Sequence, residues 1–139
     1  MISFESDYNN GMLPEILEAF GKTNSEKTSG YGFDPYSEAA KEKIRKAVGN
    51  ENADVFFLVG GTQTNTTVID SLLLGCEGVI CVETGHIEVH ESGAVEAFGH
   101  KVIPLPGENS KLSSSTLASY MDSFLDVETH LHMVQPGMV

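Results

Sequence analysis

Gly60-Gly61-Thr62 stands between an apolar run and a helical pattern, an arrangement that can bind an anion. Glycine lets the backbone approach a ligand closely. A helix start adds unpaired N–H groups at the positive end of its dipole. Thr62 brings a hydroxyl donor for a phosphate oxygen, and Asn65, one turn further on, stands where it can cap or orient. A plain strand-to-helix turn with a threonine cap uses the same residues. The turn alone therefore says only that an anion can bind. It is not a P-loop, because no Lys-Ser/Thr pair follows, and the glycine spacing of a dinucleotide fingerprint is missing.

Histidines are the second source of chemistry. His86 and His90 with Glu91 invite a zinc reading. On a strand the two histidines would stand roughly 13 Å apart, too far to share an ion. A helix would permit the pair, but the helical pattern reads as starting after His86, and Ile87 replaces the glutamate of an HExxH motif. No metal site is expected. His86 instead follows the second apolar strand, where ligands bind in open parallel sheets, and that place suits a ring stacking on a flat cofactor. A lone surface histidine is the alternative. His100, His130 and His132 show no interpretable spacing. Cys76 and Cys81 fit neither a metal knuckle nor a CxxC pair, so both read as reduced structural thiols, Cys81 within the apolar run Val79-Ile80-Cys81-Val82.

Elements must position these residues. Leu13 to Phe20 reads as a short helix with Pro14 in its first turn. Gly21 to Gly32 reads as a long loop of the kind that often marks function. Pro35 opens an amphipathic helix with Ala39, Ala40, Ile44, Ala47 and Val48 on its apolar face, and Gly49 stops it. Val55-Phe56-Phe57-Leu58-Val59 has no alternation and predicts a strand buried on both faces. Thr62 to Leu74 predicts a helix ended by Gly75. A strand over Gly78 to Val82, a helix near Glu88 to Phe98, a strand over Lys101 to Leu105 and a helix over Ser115 to Leu125 follow. Met138-Val139 reads as the opening of a fourth strand. The alternation makes the class α/β, a mainly parallel sheet with flanking helices.

The whole chain narrows the partners. With 20 acidic and 8 basic residues its formal charge is −12, which argues against nucleic acid and anionic membranes. No apolar run is long enough to span a membrane. The polar, acidic opening lacks the order of a secretory signal, so a cytoplasmic location is expected. A small anionic ligand remains compatible with this charge, because backbone N–H groups bind anions without net positive charge.

Taken in order, Ser6-Asp7, Tyr31-Gly32-Phe33-Asp34-Pro35, Gly60-Gly61-Thr62-Gln63-Thr64-Asn65, and His86-Ile87 with Glu91 form a series. The series resembles the N-terminal half of the threonine aldolase and β-eliminating lyase family, pyridoxal phosphate enzymes of the aspartate-aminotransferase-like fold. The resemblance implies that residues 1–139 are the N-terminal portion of a fold-type-I large domain. It also implies that Gly61 and Thr62 hold the pyridoxal 5'-phosphate phosphate and that His86 stacks on the ring and handles protons. Ser6 would lie near the substrate carboxylate, and Tyr31 would line the active site. The implied activity cleaves a β-hydroxy amino acid to glycine and an aldehyde, in a homodimer or homotetramer. A non-catalytic phosphate-binding α/β module is the other reading.

Departures accompany the likeness. The family's D-T-x-T opening is Asp7-Tyr8-Asn9-Asn10, Gly60 stands where the family has serine, and His90 replaces an aromatic residue. The Schiff-base lysine and the acid that holds the ring nitrogen belong to the family's second half. None of Lys22, Lys27, Lys41, Lys43, Lys46, Lys101 or Lys111 has the expected context. The chain therefore reads as truncated, inactive by itself, and as half of an active site.

Overall fold

The computed structural model describes Tyr8 and residues 10–139, so Ser6 and Asp7 lie outside the described residues. The chain divides into two units, one ending at Phe57 and one running from Leu58 to Val139.

The first unit holds two helices. Helix α1 spans Pro14–Thr23 with Pro14 at its first position, where the missing N–H costs nothing. Helix α2 spans Pro35–Val48. The Asp34 side chain accepts from the Ser37 N–H at 2.8 Å and from its hydroxyl at 2.7 Å. At the other end Gly49 takes φ 69°, the left-handed stop that glycine adopts without a Cβ clash. Helix α2 forms where its periodicity predicts, whereas α1 runs three residues past Phe20, so Gly21, Lys22 and Thr23 of the expected loop are helical. Their apolar faces are not covered, however: neither helix contains a buried residue, and Ile16, Leu17, Phe20, Ile44 and Val48 are exposed.

The second unit is the α/β body. Helix α3 (Gly61–Leu72) is followed by β1 (Glu77–Val82), the single turns α4 (His86–Val89) and α5 (Ala94–Ala97), β2 (Lys101–Leu105), α6 (Ser114–Leu125) and β3 (Gln135–Met138). The three strands are parallel, in the order β2-β1-β3. Val79 sits opposite Val102 and Ile80 opposite Ile103. β1 is central and the most apolar. Both edge strands carry a proline, Pro104 and Pro136, a residue that suits a sheet edge because it has no N–H to offer a further neighbour.

Alternation along β1 and β2 divides the core in two. Val79 and Val102 pack with Ile69 and Leu73 of α3 and Val95 of α5 on one face. Ile80, Ile103 and Leu105 pack with Leu117, Tyr120 and Met121 of α6 on the other. Helices cover both faces, which is what a parallel sheet requires.

Three expectations change. Residues 55–59 form no strand, and Phe56, Phe57 and Val59 are 82%, 51% and 93% exposed. A strand exists only where a neighbour accepts its ladder, and neither β2 nor β3 pairs with this segment. The helix expected near 88–98 is two single turns, because Ser92 (φ 55°) and Gly93 (φ 72°) are left-handed and interrupt it. The strand expected to open at Met138-Val139 is the third strand of this sheet; it opens at Gln135 and ends at Met138, paired with β1 along Glu77, Gly78 and Val79.

Candidate active site

The glycine turn sits at the start of α3. Gly60 is the N-cap residue, in extended backbone with φ −176°, and no side chain caps the helix. Thr62 is therefore inside the first turn and does not serve as the cap. Its carbonyl accepts from the Thr66 hydroxyl at 3.0 Å. Two nearby contacts tighten the turn: Gln63 Oε1 accepts from the Val59 N–H at 3.0 Å, and Thr64 Oγ1 donates to the Gly60 carbonyl at 2.9 Å. The first N–H groups of a helix have no acceptor within it, and Gly61 and Thr62 are exposed. Open space surrounds the position a Cβ would take on Gly60 or Gly61. An anion can approach this end of α3.

His86 is the first residue of α4, one turn beyond the C-terminal end of β1. The chain turns there through a hydrogen bond from the Gly85 N–H to the Val82 carbonyl at 2.7 Å. The helix thus begins at His86 itself, two residues before the expected start near Glu88. The His86 side chain is 65% exposed, and its Nδ1 lies 2.7 Å from Glu91 Oε1. Glu91 is the opposite case, with its side chain fully buried. The same Oε1 accepts from Asn65 Nδ2 at 2.6 Å. Among the described residues Glu91 Oε2 has no hydrogen-bond partner.

This chain of contacts joins the two expected features. Asn65 sits one turn along α3 from Gly61, so a single buried carboxylate ties the helix of the glycine turn to the exposed histidine. Asn65 does not cap the helix. It bridges to a residue 26 positions away. A cavity of about 380 Å³ opens beside it, lined by Val82, Ile87, Leu112 and Met138 among others. Its walls come from α3, from β1 and from Met138 at the end of β3, beside the point where the strand order reverses, the place ligands favour in open α/β sheets.

The structure gathers Gly61, Thr62 and His86 in one unit. Tyr31 belongs to the other, where its backbone is left-handed (φ 62°) and its ring fully exposed. Left-handed backbone is uncommon for an aromatic residue. Beside His86, the His90 ring is tilted by 53° at a centroid distance of 5.5 Å. Among the described residues no group of three His, Cys, Asp or Glu side chains is placed to hold a metal. Burial, with Glu88 and Glu96 adding to it, pushes the Cys81 thiol up, in keeping with an inert thiol. Cys76 is free and exposed.

His100 is a residue whose place the spacing did not reveal. It is 5% exposed, with Nδ1 3.2 Å from the Glu77 carbonyl and Nε2 3.3 Å from Asp70 Oδ1. It pins α3 to the N-terminal end of the sheet, away from His86, and its role is structural.

Comparison with known proteins agrees with this geometry. The family model for beta-eliminating lyase matches residues 3–139. The chain belongs to the beta-eliminating lyase family. It is 34% identical over 116 residues to a low specificity L-threonine aldolase of Pseudomonas sp. and 32% identical to one of Pseudomonas aeruginosa, covering 82% of this chain in both cases. The solved structure of Leishmania major threonine aldolase superposes with a TM-score of 0.87 at 38% identity, over 94% of this chain and 37% of that one. The parallel sheet with flanking helices is thus the threonine aldolase fold. The chain spans about a third of the length of the curated relatives it matches, 33% in each.

Proposed function

We propose that this chain is the N-terminal portion of the large domain of a pyridoxal 5'-phosphate-dependent lyase of the threonine aldolase type. The enzyme would cleave a β-hydroxy amino acid to glycine and an aldehyde. The observation that carries the reading is the Asn65–Glu91–His86 link, which holds an exposed aromatic ring in fixed relation to an uncapped helix start. These are the demands of a flat, phosphorylated ligand: donors for its phosphate and a partner for its ring. When bound, pyridoxal phosphate supplies an electron sink for the pair released as the Cα–Cβ bond breaks.

The chain's own residues divide the work. Gly61 and Thr62 bind the phosphate through backbone N–H groups and a hydroxyl. His86 stacks on the ring and exchanges a proton with the substrate. Ser6 binds the substrate carboxylate, and Tyr31 lines the site. The lysine that anchors the cofactor is not among these residues. Lys101 opens β2, at the opposite end of the parallel sheet from His86, and Lys111 forms an isolated bridge with Glu108. We assign the anchor to the length of the relatives that this chain does not span. The same reading carries a homodimer or homotetramer in the cytoplasm.

Calorimetric titration of the chain with pyridoxal phosphate and with pyridoxal tests the cradle. Pyridoxal phosphate should bind at least about tenfold more tightly, since charge-assisted hydrogen bonds to the phosphate are each worth about 1.5–3 kcal/mol. Thr62→Val should reduce that preference several-fold. Equal binding of the two compounds would remove the phosphate cradle and, with it, the proposed function.

A further inference from the structure

We propose that Glu91, steadied by Asn65, is the positioning residue that sets the tautomer of His86 and thereby selects Nε2 as the nitrogen offered to substrate. The inference rests on the role given to His86 above and extends it to the residues behind the ring.

Both contacts of Glu91 converge on one oxygen. Asn65 presents its amide nitrogen to Oε1 at 2.6 Å, and an amide nitrogen only donates. Oε1 is therefore an acceptor in this arrangement. His86 Nδ1 stands 2.7 Å from the same atom, and against an ionised carboxylate it carries the hydrogen. The opposite tautomer would set a nitrogen lone pair against a carboxylate oxygen at that distance. Elsewhere water could relieve the clash. Here the Glu91 side chain has no exposed surface, and Oε2 has no partner among the described residues. The carboxylate depends on the two donors it has, and a lost one is not replaced.

A neutral imidazole with hydrogen on Nδ1 has its lone pair on Nε2. The ring is 65% exposed while the carboxylate is buried, so the bonded edge faces the protein and Nε2 is left for a ligand. A substrate hydroxyl proton transferred to Nε2 creates an imidazolium, and Glu91 already faces its Nδ1–H. Glutamate thus orients the ring and stabilises the charge that forms, the logic of a carboxylate behind a catalytic histidine.

Backbone geometry shows how Glu91 reaches this place. Ser92 (φ 55°) and Gly93 (φ 72°) follow it directly, two consecutive left-handed residues. They interrupt the helical pattern just after Glu91, and the Ala94 N–H returns to the Glu91 carbonyl at 3.0 Å. A continuous helix would not make this reversal. The strained serine belongs to the device that buries the glutamate.

Long-range proton–nitrogen correlation NMR on the 139-residue chain, with nitrogen-labelled histidine and no cofactor, reads the tautomer directly. It is recorded at a pH where the imidazole is neutral, and His86 is assigned by the signals lost in His86→Gln. The expected pattern is a protonated Nδ1 and an unprotonated Nε2. In Glu91→Met, which removes the acceptor at similar volume, the population should shift toward hydrogen on Nε2. A wild-type spectrum with hydrogen mainly on Nε2 overturns the proposal, whether or not the variant folds. A folded Glu91→Met chain with the wild-type pattern overturns it too. The titration with pyridoxal phosphate and pyridoxal keeps the two readings apart. Phosphate-dependent binding with the wrong tautomer removes only the role of Glu91, whereas the expected tautomer without such binding removes only the proposed function.

Discussion

Asn65 donates to a carboxylate that solvent does not reach, and the cost of losing that donor follows from burial. Asn65→Ala leaves Glu91 with one donor, from a histidine ring that is itself largely exposed. Unsatisfied buried acceptors cost about 1–3 kcal/mol, so urea unfolding of the variant should show a loss of that order. A loss below about 0.5 kcal/mol, the range of ordinary surface changes, would mean that the hydrogen bond carries little weight. The residue types were legible beforehand. Gly61, Thr62 and His86 announced themselves by their neighbours along the chain, and Glu91 by its place after a histidine. That Asn65 and His86 share one oxygen was not legible, because no local pattern joins residues so far apart in sequence. The same holds for His100, whose partners Asp70 and Glu77 come from α3 and β1.

Helix α2 shows what a capping residue contributes to an element. The Ser37 hydroxyl, and after it the Ser37 N–H, hold the Asp34 carboxyl below the usual carboxylate range. A lowered folded-state value means that the ionised cap stabilises the helix. That contribution is complete above the unfolded-state pKa of about 3.9 and is lost as pH falls through the lower folded value. Helicity of α2, followed by circular dichroism, should therefore decline on acidification below about pH 4. Asp34→Asn keeps a capping oxygen and should remove this part of the pH dependence. An unchanged acid profile in Asp34→Asn would show that other carboxylates control it. The ends of α2 were readable from Pro35 and Gly49 alone, since caps and stops act within a turn. Residues 55–59 were not. Their composition favours a strand, but a strand is completed only by a neighbour, and none of the described strands pairs with them.

Across the whole molecule the two units meet in sequence within an extended, apolar and exposed segment. Phe56, Phe57 and Leu58 are 82%, 51% and 40% exposed, with no strand or helix to protect their peptide bonds. Brief treatment with chymotrypsin, which cuts after such residues, should cleave between 56 and 59 and at the exposed Tyr31 and Phe33 before it cuts within the second unit's elements. Mass spectrometry should then find a stable product close to Leu58–Val139, the unit with the buried core. A first cut within α3, β1 or α6 would contradict the division.

By itself the sequence determined the α/β class, the positions of α2, α3, α6, β1 and β2, the glycine turn and the histidine after β1. Each depends on residues within a few positions of one another, where propensity, capping and periodicity act. Tertiary structure alone decided that 55–59 stands outside the sheet, that β1 is its centre, and that Asn65, Glu91 and His86 form one hydrogen-bonded group. Strand pairing and burial are relations between residues distant in the chain. Only the folded backbone brings those residues within the few ångströms over which hydrogen bonds operate.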